Sequence, residues 1–169
     1  MKKNLALTGM MGVGKTTIGK ALSKELSMQF SDIDTIIEKK LKMTIKEVFK
    51  KQGEYFFRDL EEKITLQEMN KQGVVISLGG GAFMSTKIRN ITLQNSKSFW
   101  LDLDINLLEQ RLINSKKRPL LNVKNIKSSL KNIYVQRKDT YALANYKIDC
   151  NKLNDDLIIK KIIQIYVKN

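Results

Sequence analysis

The sequence predicts an α/β fold in which a parallel sheet lies between layers of helices, and three observations carry that prediction. Short apolar runs rich in β-branched residues alternate with helical periods along the chain. A glycine-rich loop, Gly9-Met10-Met11-Gly12-Val13-Gly14-Lys15-Thr16, joins the first such run to the first helical period. The run Val74-Val75-Ile76-Ser77-Leu78 is continuous rather than alternating, as befits a strand covered on both faces.

Asn4-Leu5-Ala6-Leu7-Thr8 reads as a buried strand, and residues 17–27 carry Ile18, Ala21, Leu22 and Leu26 at helical spacing. Met28-Gln29-Phe30-Ser31 is the second strand, followed by short helices over 35–41 and 44–51 and a longer one over 54–71. After the central run 74–78 come Gly79-Gly80-Gly81, a helix over 86–95, a strand over 98–102 and a helix over 106–112. Asn114-Ser115-Lys116-Lys117-Arg118-Pro119 breaks the periodicity with the only proline of the chain, and a mobile segment is expected there. A helix over 126–145, a strand over 147–150 and a helix over 157–167 complete five strands in one domain spanning 1–169. Ligands of such a sheet bind at the carboxyl ends of its strands.

The loop at 9–16 fits G-x-x-x-x-G-K-[ST] and stands between strand and helix, where that pattern has mechanical meaning. Its glycines let successive N–H groups turn inward on a phosphate, and the helix N-terminus adds partial positive charge. Gly12, Val13, Gly14, Lys15, Thr16 and Thr17 are therefore the expected nucleotide-binding residues. Lys15 reaches the β- and γ-phosphates and the Thr16 hydroxyl can ligate Mg²⁺. The expected ligand is a nucleoside triphosphate.

At 169 residues the chain is large enough to bury a core without staples. Its lone cysteine, Cys150, makes neither an internal disulfide nor a zinc site, which favours a reducing compartment. Met1-Lys2-Lys3 before apolar residues imitates a secretory signal, but Lys15 and Lys20 interrupt it, and no apolar stretch reaches membrane-spanning length. A soluble, cytoplasmic monomer is expected. The formal charge of +14, from 31 Lys+Arg against 17 Asp+Glu, suits anionic ligands of any size. Lysine spread along the whole chain without interleaved aromatics argues for solvated helix faces and against nucleic acid as a partner. With no histidine, a general base must be a carboxylate, a lysine, a tyrosine or the thiol.

Asp32 and Asp34 stand two residues apart at the end of the second strand, a spacing that puts both carboxylates on one side of an extended segment. One can hold Mg²⁺ through water and the other can accept the proton of an attacking hydroxyl. Alternatively, Asp34 caps the helix beginning at Thr35. Arg58 and Glu61 sit at i, i+3 on the long helix, either as a surface ion pair or with Glu61 orienting Arg58 toward a carboxylate ligand. Phe49 and Phe57 belong to the core or wall the apolar side of a small ligand. Gly79-Gly80-Gly81 would let a ligand approach backbone N–H groups closely. Cys150 and Trp100 read as buried structural residues.

GMMGVGKT at 9–16, FSDID at 30–34, GEYFFR at 53–58, LGGGAF at 78–83, RPLL at 118–121 and Arg137-Lys138-Asp139-Thr140-Tyr141-Ala142-Leu143-Ala144 together resemble the shikimate kinase family, in its order and spacing. The resemblance implies a P-loop NTPase-like, nucleoside-monophosphate-kinase-like fold with a lid at roughly residues 113–125. It also implies Mg²⁺-dependent transfer of the γ-phosphoryl of ATP to the 3-hydroxyl of the small-molecule substrate shikimate. By resemblance Asp34 contacts the substrate hydroxyls as base, Arg58 and Arg137 hold the carboxylate, and Gly80 or Gly81 donates an N–H. Asp32 binds Mg²⁺ through water beside Thr16, Arg118 closes with the lid onto the transferring phosphoryl, and Arg111 stacks on adenine. Thr16 replaces a commoner serine, and Lys152 stands where the family often has arginine. A gluconate kinase of the same fold is the nearest rival. A guanine-nucleotide switch is disfavoured, because neither Asn70-Lys71-Gln72-Gly73 nor Asn151-Lys152-Leu153-Asn154 completes N-K-x-D.

Overall fold

The computed structural model describes residues 2–113 and 125–168. Five parallel strands, β1 (Asn4–Thr8), β2 (Gln29–Asp32), β3 (Val74–Ser77), β4 (Ser96–Asp102) and β5 (Tyr146–Asp149), form one sheet in the order β2-β3-β1-β4-β5. Seven helices accompany them among the described residues: α1 (Lys15–Glu25), α2 (Ile33–Leu41), α3 (Ile45–Met69), α4 (Thr86–Asn95), α5 (Ile105–Leu112), α6 (Ile126–Tyr141) and α7 (Asp155–Lys168). Every residue of β1 and β3 is buried, and β3 touches both α1 and α3, so helices cover both its faces. This is why the run at 74–78 shows no alternation. Leu5, Leu7, Val75, Ile76, Phe99 and Leu101 form the centre of the core.

Several expected boundaries move, each for a local reason. The first helix begins at Lys15 rather than Thr17, because Gly14, with φ 104°, turns the chain directly into it. Asp34 is not the cap of α2. Asp32 is: its Oδ1 accepts from the Thr35 N–H at 3.0 Å, and Asp34 lies in the first helical turn, not in an extended segment. The two expected helices over 44–51 and 54–71 run together as α3, with Gly53 (φ 82°, ψ 170°) breaking the helical dihedrals between them. Thr44 and Glu47 form a capping box at its start. The sixth helix stops at Tyr141 rather than Asn145, since Asn145 instead accepts from the Ser98 N–H and hydroxyl at 2.9 and 2.8 Å. A 3₁₀ turn, Ala82–Met84, follows the triple glycine and had no signal in the sequence. Cys150 is a buried free thiol whose pKa burial pushes up to about 12, and Trp100 is buried in the core. Residues 114–124, which hold nearly all of the expected lid, lie outside the described residues.

Asn4 ties the long helix to the middle of the sheet. Its side-chain amide donates to the carbonyls of Met69 (3.1 Å) and Lys71 (2.7 Å), and its Oδ1 accepts from the Val74 N–H at 3.0 Å. Leaving such buried backbone groups unpaired costs about 1–3 kcal/mol. Asn4→Ala is therefore expected to lower stability by about 2 kcal/mol, read as a drop in the urea midpoint with an unchanged m-value.

Candidate active site

The strand order places the carboxyl ends of β2, β3 and β1 side by side, with Asp32 next to Ser77 and Ser77 next to Leu7. Three loops therefore leave the sheet at one place: the phosphate loop after β1, the turn into α2 after β2, and the triple glycine after β3. They enclose two adjoining clefts.

The first cleft, of about 590 Å³, is lined by Gly12, Gly14, Lys15, Thr16 and Thr17 on one side and by Asp32, Asp34, Ser77, Leu78 and Gly80 on the other. Lys15 is buried, and its ammonium donates to the Gly9 and Met10 carbonyls at 2.8 and 2.9 Å. The Thr16 hydroxyl donates to Asp32 Oδ2 at 2.6 Å. Two hard oxygen donors beside a phosphate cleft suit Mg²⁺, which binds few protein ligands and keeps waters and phosphate oxygens. Thr16 and Asp32 thus fit that ion, while among the described residues no cluster of three acidic, His or Cys side chains exists to cage a metal by itself. Arg111 donates to the Val13 carbonyl at 3.1 Å, which holds α5 against the outer side of the phosphate loop.

The second cleft, of about 420 Å³, is lined by Met11, Asp34, Ile45, Phe49, Phe57, Arg58, Glu61, Gly80, Gly81 and Arg137. Asp34 and Gly80 are common to both clefts. Phe49 and Phe57, with ring centroids 4.8 Å apart, form an apolar wall, and the Arg58 guanidinium lies over the Phe57 ring at 5.1 Å. Glu61 is only 1% exposed while the Arg58 side chain is 30% exposed, so their pair (2.7 Å) is half-buried, with the carboxylate on its dry side. Arg58 also contacts Glu54 Oε1 at 3.1 Å. Burial by itself would depress the Arg58 pKa, but Glu61 and Glu54 outweigh it and the net direction is up. Burial raises the Glu61 carboxyl from 4.5 to about 7; Arg58 opposes the rise and the Asp34 charge adds to it. A Cβ on Gly79 would stand 2.3 Å from Glu61 Oε1, and one on Gly81 2.8 Å from Arg58 Nη2, so either would displace the end of a side chain that lines the cleft. Arg137 enters from α6, donating from Nη1 to the Gly80 carbonyl at 2.9 Å.

The structure thus brings together Lys15, Thr16, Asp32, Asp34, Arg58, Gly80, Gly81 and Arg137, and it shows the Arg58–Glu61 pair to be half-buried rather than at the surface. Arg118 lies outside the described residues. Asn151, in the loop after β5, accepts from the Asp104 N–H at 2.7 Å, fixing that loop to the start of α5. Three contributors went unread. Met11 and Ile45 line the second cleft, and Tyr141 donates its hydroxyl to the Gly80 carbonyl. Tyr141 alone carried a signal, its place one helical turn beyond Arg137.

The family model for shikimate kinase matches residues 11–166. The shikimate kinase of Sulfurihydrogenibium sp. is 40% identical over 161 residues, covering 95% of this chain and 96% of the relative. That of Bacillus licheniformis is 38% identical, covering 96% of this chain and 93% of the relative. Among solved structures, a shikimate kinase from Acinetobacter baumannii in complex with shikimate superposes with a TM-score of 0.96 at 33% identity, over all of this chain and 95% of that one. A gluconokinase from Sinorhizobium meliloti, with a TM-score of 0.64 at 14% identity over 98% of this chain and 92% of that one, shares the fold alone. With a family model spanning most of its length and relatives of this identity, the chain belongs to the shikimate kinase family.

Proposed function

We propose that this chain transfers the γ-phosphoryl group of ATP to the 3-hydroxyl of shikimate, giving shikimate 3-phosphate on the route to chorismate and the aromatic amino acids. One observation carries the reading: Asp34 and Gly80 belong both to the phosphate cleft and to the cleft that holds two guanidinium groups, so a phosphate donor and an acidic acceptor meet at Asp34. The family membership and the shikimate bound by the Acinetobacter baumannii enzyme support the choice of acceptor.

In this reading the N–H groups of Gly12 to Thr17 and the Lys15 ammonium hold the triphosphate, and Arg111 packs on the adenine. Arg58 and Arg137 take the carboxylate of the acid, each able to fork onto two oxygens. Opposite charges 4 Å apart attract by about 4 kcal/mol at an effective dielectric of 20, enough to orient a small ligand. Gly81 or Gly80 donates an N–H, and the Phe49–Phe57 wall keeps water from the apolar face. Asp34 accepts the proton of the attacking hydroxyl as the new oxygen–phosphorus bond forms and the bond to the ADP oxygen breaks. Thr16 and Asp32 would hold Mg²⁺, which when bound would neutralise charge on the phosphate oxygens. Arg118, outside the described residues, is the further cation this reading assigns to the charge of the transferring group. Because that group spreads its charge over three oxygens, Lys15 and Arg118 govern rate more than the base does. The enzyme acts as a monomer in the cytoplasm, without nucleic acid or membrane; no described helix is long and apolar enough to cross a bilayer.

The deciding assay is ADP release with Mg²⁺–ATP and shikimate, gluconate, a nucleoside monophosphate or no acceptor. Stimulation by shikimate alone is expected, and stimulation by gluconate alone refutes the assignment. Lys15→Ala and Arg118→Ala should each lower kcat by about a hundredfold or more. Arg58→Ala should raise the shikimate KM by about ten- to a hundredfold, the loss of a charge-assisted contact, with a smaller change in kcat. Glu61 also sets a pH dependence. Between 4.5 and about 7 the folded state holds a proton that the unfolded state has released, so stability falls as pH rises through that window and levels off above it. Urea titrations at pH 5 and pH 8 should show the fall in wild type and a flatter profile in Glu61→Gln.

A further inference from the structure

We propose that Tyr141 is a positioning residue for the acid-binding cleft, fixing the Gly80–Gly81 peptide and the Arg137 guanidinium through one hydroxyl; the inference rests on the function proposed above. Tyr141 is fully buried. It lies one helical turn beyond Arg137 on α6, and both side chains donate to the same acceptor, the Gly80 carbonyl. A carbonyl oxygen has two lone pairs, so Gly80 is saturated and its orientation is set from two directions. Across a trans peptide the following N–H points opposite to the carbonyl. With the Gly80 oxygen drawn toward α6, the Gly81 N–H is turned away from that helix, and among the described residues it has no backbone acceptor. Gly81 lines the acid cleft, where an N–H held this way is available to a ligand oxygen.

The ring supplies the rigidity that the hydroxyl needs. Tyr141 stacks on Trp100, with centroids 6.0 Å apart and an interplanar angle of 29°. The Trp100 Cδ1 in turn lies 3.4 Å from where a Cβ on Gly9 would stand, at the root of the phosphate loop. Gly80 itself abuts that loop, since a Cβ there would be 3.4 Å from the Met11 nitrogen. Tyr141 is therefore braced against the phosphate side while holding the acid side. Burial raises the Tyr141 pKa, which keeps the hydroxyl a donor at neutral pH. Without that donor, Arg137 becomes the only side chain among the described residues securing the Gly80 carbonyl while it is also wanted by the ligand carboxylate.

The test is Tyr141→Phe, which keeps the ring and its stacking, studied by steady-state kinetics with shikimate and ATP varied separately. The shikimate KM should rise about five- to tenfold, as for the loss of one buried hydrogen bond, while the ATP KM stays within about twofold. Quenching of Trp100, the only tryptophan, should report the same loss in shikimate affinity without turnover. In combination with Arg137→Ala the two costs should be less than multiplicative, because both act through Gly80. Wild-type protein that does not phosphorylate shikimate refutes the functional reading before the variant is compared. With an active wild type, an unchanged shikimate KM and affinity, or equal changes in both KM values, overturns the role given to Tyr141. A Tyr141→Phe chain that no longer folds assigns the hydroxyl to stability and overturns it equally.

Discussion

Parallel pairing of β2, β3 and β1 in neighbouring positions is the constraint on which the rest of the structure depends. Parallel strands end on the same side of the sheet, so the residues that follow each of them are delivered to one edge. The register sets Asp32 beside Ser77 and Ser77 beside Leu7, which brings the phosphate loop, the two aspartates and the triple glycine within reach of one another. The fully buried β1 and β3 keep that edge rigid, since neither can shift without exposing apolar surface on both of its faces.

Upon that edge the charges are arranged by burial. A carboxylate that loses nearly all its water is costly unless a cation answers it, and Glu61 meets this condition with Arg58 while remaining difficult to ionise. The pair leaves Arg58 stacked on Phe57, pinned by its own side of the protein, and still lining the cleft. Arg137 is held in a comparable way by the Gly80 carbonyl. Both guanidinium groups are thus oriented by protein groups, which reduces the ordering cost of binding an acid.

The same fold occurs in a gluconokinase at 14% identity, and that likeness shows how little the sheet alone says about the acceptor. The phosphate loop fits any triphosphate donor. The second cleft is lined from α3, from α6 and from the triple glycine, which reach it from different parts of the sequence.

Much of the molecule was legible in the chain because the signals are local. The phosphate loop between Thr8 and Lys15 was legible because glycine spacing and a terminal Lys-Thr are properties of eight consecutive residues. The central strand announced itself by a run with no polar face, and the break in α3 at Gly53 falls between the two helices expected over 44–51 and 54–71. The cap of α2 was misplaced because Asp32 and Asp34 are chemically alike, and only the path of the chain into the first helical turn decides which oxygen reaches the Thr35 N–H. Whether Arg58 and Glu61 form a surface ion pair or Glu61 orients Arg58 toward a ligand was equally undetermined, since burial depends on what packs over α3 and not on an i, i+3 spacing. Tyr141 and Met11 entered the site through contacts with Gly80, separated from them by long stretches of chain. Sequence by itself determined the elements, the phosphate chemistry and the candidate charges, because those follow from neighbours along the chain. Tertiary structure decided which charges are dry, which carbonyl is held from two sides and where the two clefts join, because desolvation and distance exist only after remote segments have packed.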